Sequence, residues 1–339
     1  MDRHHRIKKF LLAAALGMVL AAGAGCSKEG QSLNLTMSAR LGENELFKIG
    51  DEVCTRPEAM IIIANQKNRY EQAYTDQIWQ VTIDDAGTTY EEYLMSSVKD
   101  FLAQMTCMNL MAKAYEVALT EEETQKLADA SKEYYDSLSQ TDREFLAVTE
   151  EDVQNVYTEY HIANRLVDEV TAQADIEVSD NEAKVITVMQ ILVEDKDAAR
   201  VVLEKVNAEG ADFTAIAEEY SNSDQLEMQI GKGETEEAFE KAAFALSAGQ
   251  ISGIVETSYG YHVIQCVSDY DVEATKVNKE RITNERRSQV FREKYDAFIR
   301  DLDSKFNEQL WSEIHLDGQF PATTDNFYDI YNKYFANER

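Results

Sequence analysis

The apolar segment from Val185 to Val193 interrupts a sequence that is otherwise patterned for helices. Its run of β-branched and large apolar residues predicts a strand, which we place over 183–193. Two helical patterns, an irregular Gly-containing loop over 221–234, a third helix and two further strands follow. This order of elements predicts a small α+β domain over 183–270. The later helices are expected over 197–208, 213–220 and 236–246, and the later strands over 253–256 and 261–267.

Helical patterns dominate both sides of this insert, over 45–182 and 271–339. Thr55, Thr120 and Thr149 each have Glu or Asp three residues later, which is the capping-box signature of a helix start. An apolar stripe near the end of the chain predicts one long helix that begins at about Thr275 and continues to Ile314. Because one helix cannot bury its own stripe, we expect it to pack on the first helical region as one discontinuous domain. The stripe consists of Phe291, Tyr295, Phe298, Leu302, Phe306, Leu310 and Ile314.

Two groups of apolar side chains leave a choice between core packing and partner binding. The aromatic tail over 320–339 either docks on the helices or serves as an interaction segment, and we favour docking. Methionines in the first helices could form an adaptable client-binding surface, but helix-bundle core is the interpretation we favour. These methionines are Met60, Met95, Met105, Met108 and Met111.

The first 25 residues have the organisation of an export signal. A basic start is followed by an apolar stretch over 10–22, which is too short to span a bilayer comfortably. Small residues then lead to Cys26, and the whole resembles a bacterial lipoprotein signal in which Cys26 is lipidated. Gly23 departs from that pattern, so cleavage without lipid stays open. We therefore expect a signal peptide over 1–25, a flexible linker over 26–44, and an extracytoplasmic protein anchored by lipid to the bacterial cell membrane.

The charge balance argues against nucleic-acid binding. The formal net charge is −30, and such a surface repels phosphate backbones. It suits solubility or attraction to basic clients, and a solvated acidic surface is the simpler interpretation. Cys54, Cys107 and Cys266 show no framework spacing, so free thiols are favoured over a disulfide. The histidines lack ligand spacing, which argues against a metal site.

The residues of the insert then show a recognisable pattern. Gln190–Val193, Gly210–Ala217, Phe239–Leu246, Gly249–Ser252 and Tyr259–Ile264 are similar, in this order, to the parvulin-type peptidyl-prolyl isomerase domain. The helical flanks and the signal resemble the PrsA- and SurA-like family of exported foldases. This resemblance implies an α+β protein with a discontinuous helical chaperone domain, divided between 45–182 and 271–339. A parvulin-like, FKBP-like α+β domain over 183–270 would be inserted into it.

The resemblance also implies site residues, several of which are substituted in this chain. His262 stands at the second histidine position of the parvulin pattern, and Phe239 at the aromatic wall of the proline cup. Gln190 replaces the first histidine, Ser223 replaces the Cys or Asp, and Thr235 replaces the cup methionine. Gln190, Ser223 and His262 are therefore the expected catalytic residues, while Phe239, Thr235 and Ile230 are expected to bind substrate. Gln bonds like a neutral imidazole but carries no charge, and Thr offers less apolar area than Met.

Taken together, the sequence predicts an extracytoplasmic foldase with a peptidyl-prolyl isomerase domain of reduced activity. Its partners would be unfolded or exported polypeptides with X–Pro bonds, and it would need no cofactor. The oligomeric state is left open, with a homodimer as one alternative. The principal alternative is a non-catalytic holdase that uses the parvulin domain as a scaffold. A solute-binding lipoprotein would explain the signal but not the parvulin motifs. A hydrolase is disfavoured because this sequence contains no recognisable nucleophile motif.

Overall fold

The computed structural model describes residues 34–35, 41–172, 174–316 and 318–336. The chain divides into two compact units. The helical unit comprises the residues up to Ala174 together with those from Ser288 onward, and the inserted unit comprises Asp175–Arg287. The predicted signal peptide, Cys26 and most of the predicted linker lie outside the described residues. No helix within the described part of the chain is both long and apolar enough to cross a membrane.

Helices and strands fall into three groups along the chain. The first group is β1 Asn34–Leu35, β2 Glu45–Ile49, β3 Glu52–Thr55, α1 Arg56–Tyr74, a 3₁₀ turn Asp76–Gln80, α2 Tyr90–Ala114, α3 Glu121–Ser137, α4 Gln140–Leu146 and α5 Glu150–Thr171. The second is α6 Asp180–Ala183, β4 Val185–Val193, α7 Lys196–Val206, α8 Phe213–Tyr220, β5 Glu227–Gly231, α9 Glu237–Phe244, β6 Val255–Thr257 and β7 Gly260–Ser268. The last is α10 Val272–Ile299, β8 Asp303–Phe306, α11 Glu308–Ser312 and α12 Phe327–Phe335.

Capping boxes start the main helices of the helical unit. Thr55, Thr120 and Thr149 cap α1, α3 and α5 as predicted, each with the reciprocal bond from the acidic residue three positions later. Thr89 and Ser139 do the same for α2 and α4, two starts that were not predicted from the sequence. Each box satisfies backbone N–H groups that a helix start otherwise leaves unpaired.

The aromatic tail and the methionines belong to the core of the helical unit. Phe327 is fully buried, and its ring stacks on Tyr157 with centroids 4.2 Å apart. Docking is therefore the correct interpretation of the tail. Core packing is likewise correct for the five methionines, each of which is at most 7% exposed. Cys54, Cys107 and Cys266 are buried free thiols.

The predicted helix through Ile314 is wrong beyond Ile299. The chain leaves α10 there and forms β8, which pairs with β2 in a sheet ordered β1-β8-β2-β3. Phe306 lies opposite Phe47, with ring centroids 5.2 Å apart. Pairing with β2 gives the backbone of 303–306 its hydrogen bonds, and this tertiary contact overrides the helical spacing of Leu302, Phe306 and Leu310.

The inserted unit is an antiparallel sheet ordered β5-β4-β7-β6, with helices on both faces. Alternate residues of β4 pack into two different hydrophobic clusters. One cluster joins Met189, Ile191 and Val193 to α7 and α8, and the other joins Ile186 and Val188 to α9. The predicted irregular loop over 221–234 is wrong in part, because it contains β5. That strand pairs with β4 from Val185 to Met189, a non-local partner that the local sequence does not reveal.

The inserted unit extends past the apolar pattern at both ends. The first turns of α10 close it, since Thr275 Oγ1 accepts a hydrogen bond from Val185 N at 3.0 Å. Asn278 Nδ2 donates to Ala183 O at 2.9 Å, so the start of α10 is tied to the start of β4. The compact unit consequently runs from Asp175 to Arg287, whereas the motifs place the domain over 183–270.

Candidate functional site

The central strands bring two of the predicted site residues to one face of the sheet. In the β4–β7 pairing, Leu192 lies opposite His262 and Gln190 lies opposite Ile264. Opposite residues in an antiparallel pair share a face, as do residues two apart on one strand. Gln190 and His262 are therefore neighbours on the face that α9 covers, where Phe239 also lies.

A directional chain of hydrogen bonds fixes the imidazole of His262. Gln190 Nε2 donates to Gln225 O at 3.0 Å, so the amide oxygen of Gln190 faces His262. That oxygen lies 2.9 Å from His262 Nδ1. Since an amide oxygen only accepts, Nδ1 carries the proton. Nε2 then accepts from Thr257 Oγ1 at 2.7 Å, and Thr257 Oγ1 accepts from Tyr259 N at 3.2 Å.

Burial keeps this imidazole neutral. His262 is 5% exposed and Gln190 is 6% exposed. Burial lowers the pKa of His262, and the nearby carboxylate of Glu236 opposes this shift only in part. The rings of Phe239 and His262 meet edge to face, with centroids 5.1 Å apart and planes at 79°. The site therefore presents an uncharged imidazole of defined tautomer beside an aromatic wall.

Ser223 contacts this chain of hydrogen bonds only indirectly. Its Oγ donates to Gln225 O at 3.3 Å and accepts from Gln225 N at 3.2 Å. The carbonyl oxygen of Gln225 thus accepts hydrogen bonds from both Ser223 and Gln190. The structure shows Ser223 holding the Gln225 turn that orients Gln190, and the hydrogen bonds of the His262 ring go to Gln190 and Thr257.

The two other predicted substrate-binding residues lie in different surroundings. Ile230 is 3% exposed and packs in the same core cluster as Phe239. Thr235 precedes α9, and its Oγ1 is buried without a hydrogen-bond partner in the described part of the chain. Next to it, Glu236 accepts hydrogen bonds from the backbone N and the Oγ of Ser258. This contact ties the start of α9 to the β6–β7 turn.

Sequence reasoning missed Thr257. The hairpin pairs Thr257 with Gly260 across a turn formed by Ser258 and Tyr259. Gly260 and His262 are two residues apart on β7, so Thr257 and His262 share a face. A two-residue turn at Ser258 and Tyr259, read together with the strand alternation, would have predicted this neighbour of His262.

Known proteins share both the inserted unit and its helical flanks. Residues 192–268 match the family model of the PPIC-type PPIASE domain. A foldase protein PrsA from Caldanaerobacter subterraneus subsp. tengcongensis is 26% identical over 316 residues, covering 86% of this chain and 94% of the relative. Foldase protein PrsA 2 from Listeria monocytogenes is 33% identical over 223 residues, covering 58% of this chain and 70% of that protein. The chain belongs to the PrsA foldase family.

A crystal structure of peptidylprolyl isomerase (PrsA) from Bacillus cereus matches this PrsA family member with a TM-score of 0.35 and 21% identity. The match covers 75% of this chain and 97% of that one. Membership of the PrsA family and the parvulin-type domain confirm the resemblance read from the motifs. The α+β class with an inserted parvulin domain is likewise confirmed. The matched range includes Ser223, Ile230, Thr235, Phe239 and His262 and begins two residues after Gln190.

Proposed function

We propose that this chain is an extracytoplasmic foldase that isomerises X–Pro bonds of exported polypeptides at a reduced rate. The observation that carries the proposal is the neutral His262 imidazole, held between Gln190 and Thr257 against Phe239. Its position in a PPIC-type domain supports prolyl isomerisation as the reaction. The relatives named foldase protein PrsA support polypeptide folding as the setting.

The chemistry explains why such a site can work without a cofactor. Rotation about an X–Pro bond meets a barrier of about 20 kcal/mol because resonance makes the amide planar. The twisted amide has lost that resonance and its charge separation, so an apolar, uncharged environment favours it over the planar form. A neutral imidazole and an aromatic wall supply such an environment. No covalent bond is made or broken in the reaction.

Three features support a reduced rate. Gln190 cannot carry a proton as a histidine can, and Ser223 does not contact the imidazole. The third feature is burial: Gln190, Phe239 and His262 are each at least 94% buried. A substrate proline needs accessible apolar surface, so this closed arrangement must open before the ring can enter.

A proline-peptide isomerisation assay tests the catalytic proposal. The full chain should accelerate cis-to-trans exchange above background, and His262→Ala should return the rate to background. Gln190→His should raise the rate, because it restores a second imidazole beside the first. Equal background rates in the wild type and His262→Ala would contradict isomerase activity.

The burial of the site favours a second candidate, a holdase without turnover. Such a protein would suppress aggregation of an unfolded client that contains no proline, and His262→Ala would suppress it equally well. Absence of suppression by the wild type would count against this candidate. If isomerase activity depends on His262 and the wild type does not suppress aggregation, only the first candidate remains.

We also propose that Cys26 carries a lipid that anchors the chain outside the cytoplasmic membrane. The support is the order of basic, apolar and small residues before Cys26. In cells, the wild-type chain should fractionate with membranes and Cys26→Ala should be released. Membrane association that survives the Cys26→Ala substitution would contradict the lipid anchor.

A further inference from the structure

Four tyrosines and Val81 form a surface patch on the helical unit, where α1 ends and α2 begins. We call this the tyrosine patch and define it as Tyr70, Tyr74, Val81, Tyr90 and Tyr93. The Tyr90 ring lies 6.5 Å from that of Tyr70 and 6.2 Å from that of Tyr93, measured between centroids. Val81 O accepts a hydrogen bond from Tyr90 N at 2.9 Å, which fixes the loop beside the rings.

The patch has a buried floor and an exposed rim. Tyr70 and Tyr90 are 6% and 4% exposed, whereas Tyr74, Tyr93 and Val81 are 39%, 38% and 46% exposed. Neighbouring large side chains that remain exposed are unusual on a surface without a partner. Tyrosine in particular offers an apolar ring and a polar tip, the combination common in binding surfaces.

The floor also contains an unused hydrogen-bond donor. The hydroxyl of Tyr90 is buried without a hydrogen-bond partner in the described part of the chain. Burial, together with the nearby Tyr74 and Tyr93, raises the pKa of Tyr90 to about 12, so the hydroxyl keeps its proton. A ligand that brings a backbone carbonyl to this hydroxyl would remove the penalty of leaving it unpaired.

Carboxylates predominate in the stretch of chain that forms the patch. Residues 70–98 contain no Lys or Arg and six carboxylates, namely Glu71, Asp76, Asp84, Asp85, Glu91 and Glu92. Glu71 is paired with Lys67, and Glu91 lies 3.6 Å from His315. Of the other four, none takes part in an ion pair across the ranges that the structure describes. Hydrogen bonds from Thr88 hold the pKa of Asp84 below its ordinary value, so this carboxylate stays charged.

We propose that the tyrosine patch binds Lys- or Arg-containing segments of unfolded polypeptides, which rests on the proposed foldase function. A cationic side chain would lie over the faces of Tyr74 and Tyr93 while the carboxylates attract it. The backbone of the same segment would offer the acceptor for Tyr90. The negative charge disfavours nucleic acid and anionic lipid, and it also disfavours a second copy of this patch.

Fluorescence anisotropy with short proline-free peptides tests the proposal on the full chain. The probe is a peptide of Lys, Leu and Ser with a neutral dye, and its control replaces every Lys with Glu. The Lys peptide should bind, and its affinity should fall with added salt. The double substitution Tyr74→Ala and Tyr93→Ala should weaken binding at least about fivefold. Tyr90→Phe should weaken it by roughly two- to tenfold without loss of stability.

A matched control comes from Tyr115, which is 46% exposed on the same unit, just beyond the opposite end of α2. Tyr115→Ala should leave binding unchanged. Equal binding of the Glu peptide, or unchanged binding by the double variant, would overturn the proposal. Because the peptides lack proline, a missing isomerase activity does not affect this result. Patch-dependent peptide binding without isomerase activity and without aggregation suppression would instead reject the foldase function and retain the cation-binding surface.

Discussion

His262 Nδ1 lies 2.9 Å from Gln190 Oε1 in the interior of the inserted unit. The amide of Gln190 is itself oriented by Gln225 O, so it offers His262 an acceptor and nothing else. This arrangement sets the tautomer of the imidazole and leaves one titratable group in the chain of hydrogen bonds. We propose that Gln190 stands at the first histidine position of the parvulin pattern, where its amide cannot exchange a proton.

Replacing Gln190 by Leu should destabilise the inserted unit by about 1–3 kcal/mol. The substitution leaves the Nδ1 proton of His262 without an acceptor in a buried site. It should also lower any isomerase rate, because the imidazole loses its fixed orientation. Urea unfolding and the proline-peptide assay measure the two effects.

Gln265→Leu is the control, since Gln265 is half-buried on β7 and points to the opposite face from His262. Equal destabilisation by both substitutions would contradict a specific role for Gln190.

The stability of the chain should depend on pH through His262. Its pKa is lowered by burial below the value of about 6.5 expected for an unfolded chain. Between those two values the unfolded state binds the proton and the folded state does not. The contribution of His262 to the free energy of unfolding is therefore fully present above about pH 6.5. It is lost as the pH falls through the pKa of the folded state.

The measurement is the difference in unfolding free energy between the wild type and His262→Asn from pH 7.5 to pH 5. Groups common to both proteins cancel, among them Glu159, whose pKa is raised by burial to about 8. The wild type should lose stability relative to the variant as the solution becomes acidic. A difference that stays constant across this range would show that His262 titrates alike in both states.

The buried hydroxyl of Thr235 should cost stability. Thr235→Val replaces it by a methyl group of similar size, so the variant should be more stable by about 1 kcal/mol. Thr235→Ser keeps the hydroxyl and should show no such gain. Thermal unfolding of the three proteins provides the comparison. If Thr235→Val is less stable than Thr235→Ser, the hydroxyl has a stabilising partner in solution.

Much of the fold could be predicted because local signals and burial agree. Thr55, Thr120 and Thr149 start helices through bonds that reach only three residues along the chain. The apolar run Val185–Val193 likewise predicted a strand, and both of its faces are buried. Strand β5 was missed because its pairing partners lie about 40 residues earlier, and Glu227–Gly231 has little β character of its own.

The proximity of three side chains in the candidate site could be predicted from the sequence, whereas Thr257 and the hydrogen bonds of the site could not. Gln190, Phe239 and His262 converge because the motif order fixes the strand pairing and the position of α9. The separation of Ser223 from the imidazole could not be predicted, since it depends on how the turn at Gln225 closes. Burial of the whole group also depends on tertiary packing that no spacing encodes.

The tail helix should be essential to the helical unit, and Phe327 is the residue to change. Its ring is fully buried between Tyr157, which stacks on it, and Tyr134, whose ring meets it edge-on at 5.5 Å. Asn65 Oδ1 accepts from Phe327 N at 2.9 Å, and Tyr157 donates to Phe327 O at 2.7 Å. Phe327→Ala should therefore lower the unfolding free energy of this unit by about 3–5 kcal/mol.

The control is Tyr334→Ala on the same helix, where a half-exposed ring loses its hydrogen bond to Glu133. This change should cost about 0.5–1 kcal/mol, because a surface bond contributes little. Urea unfolding followed by circular dichroism gives both values, and the proline-peptide assay reports whether the inserted unit stays folded. If Phe327→Ala and Tyr334→Ala had the same small effect, the tail would be attached to the helices without supporting them. The larger loss with Phe327→Ala would show that residues 327–335 complete the core begun by α1, α3 and α5.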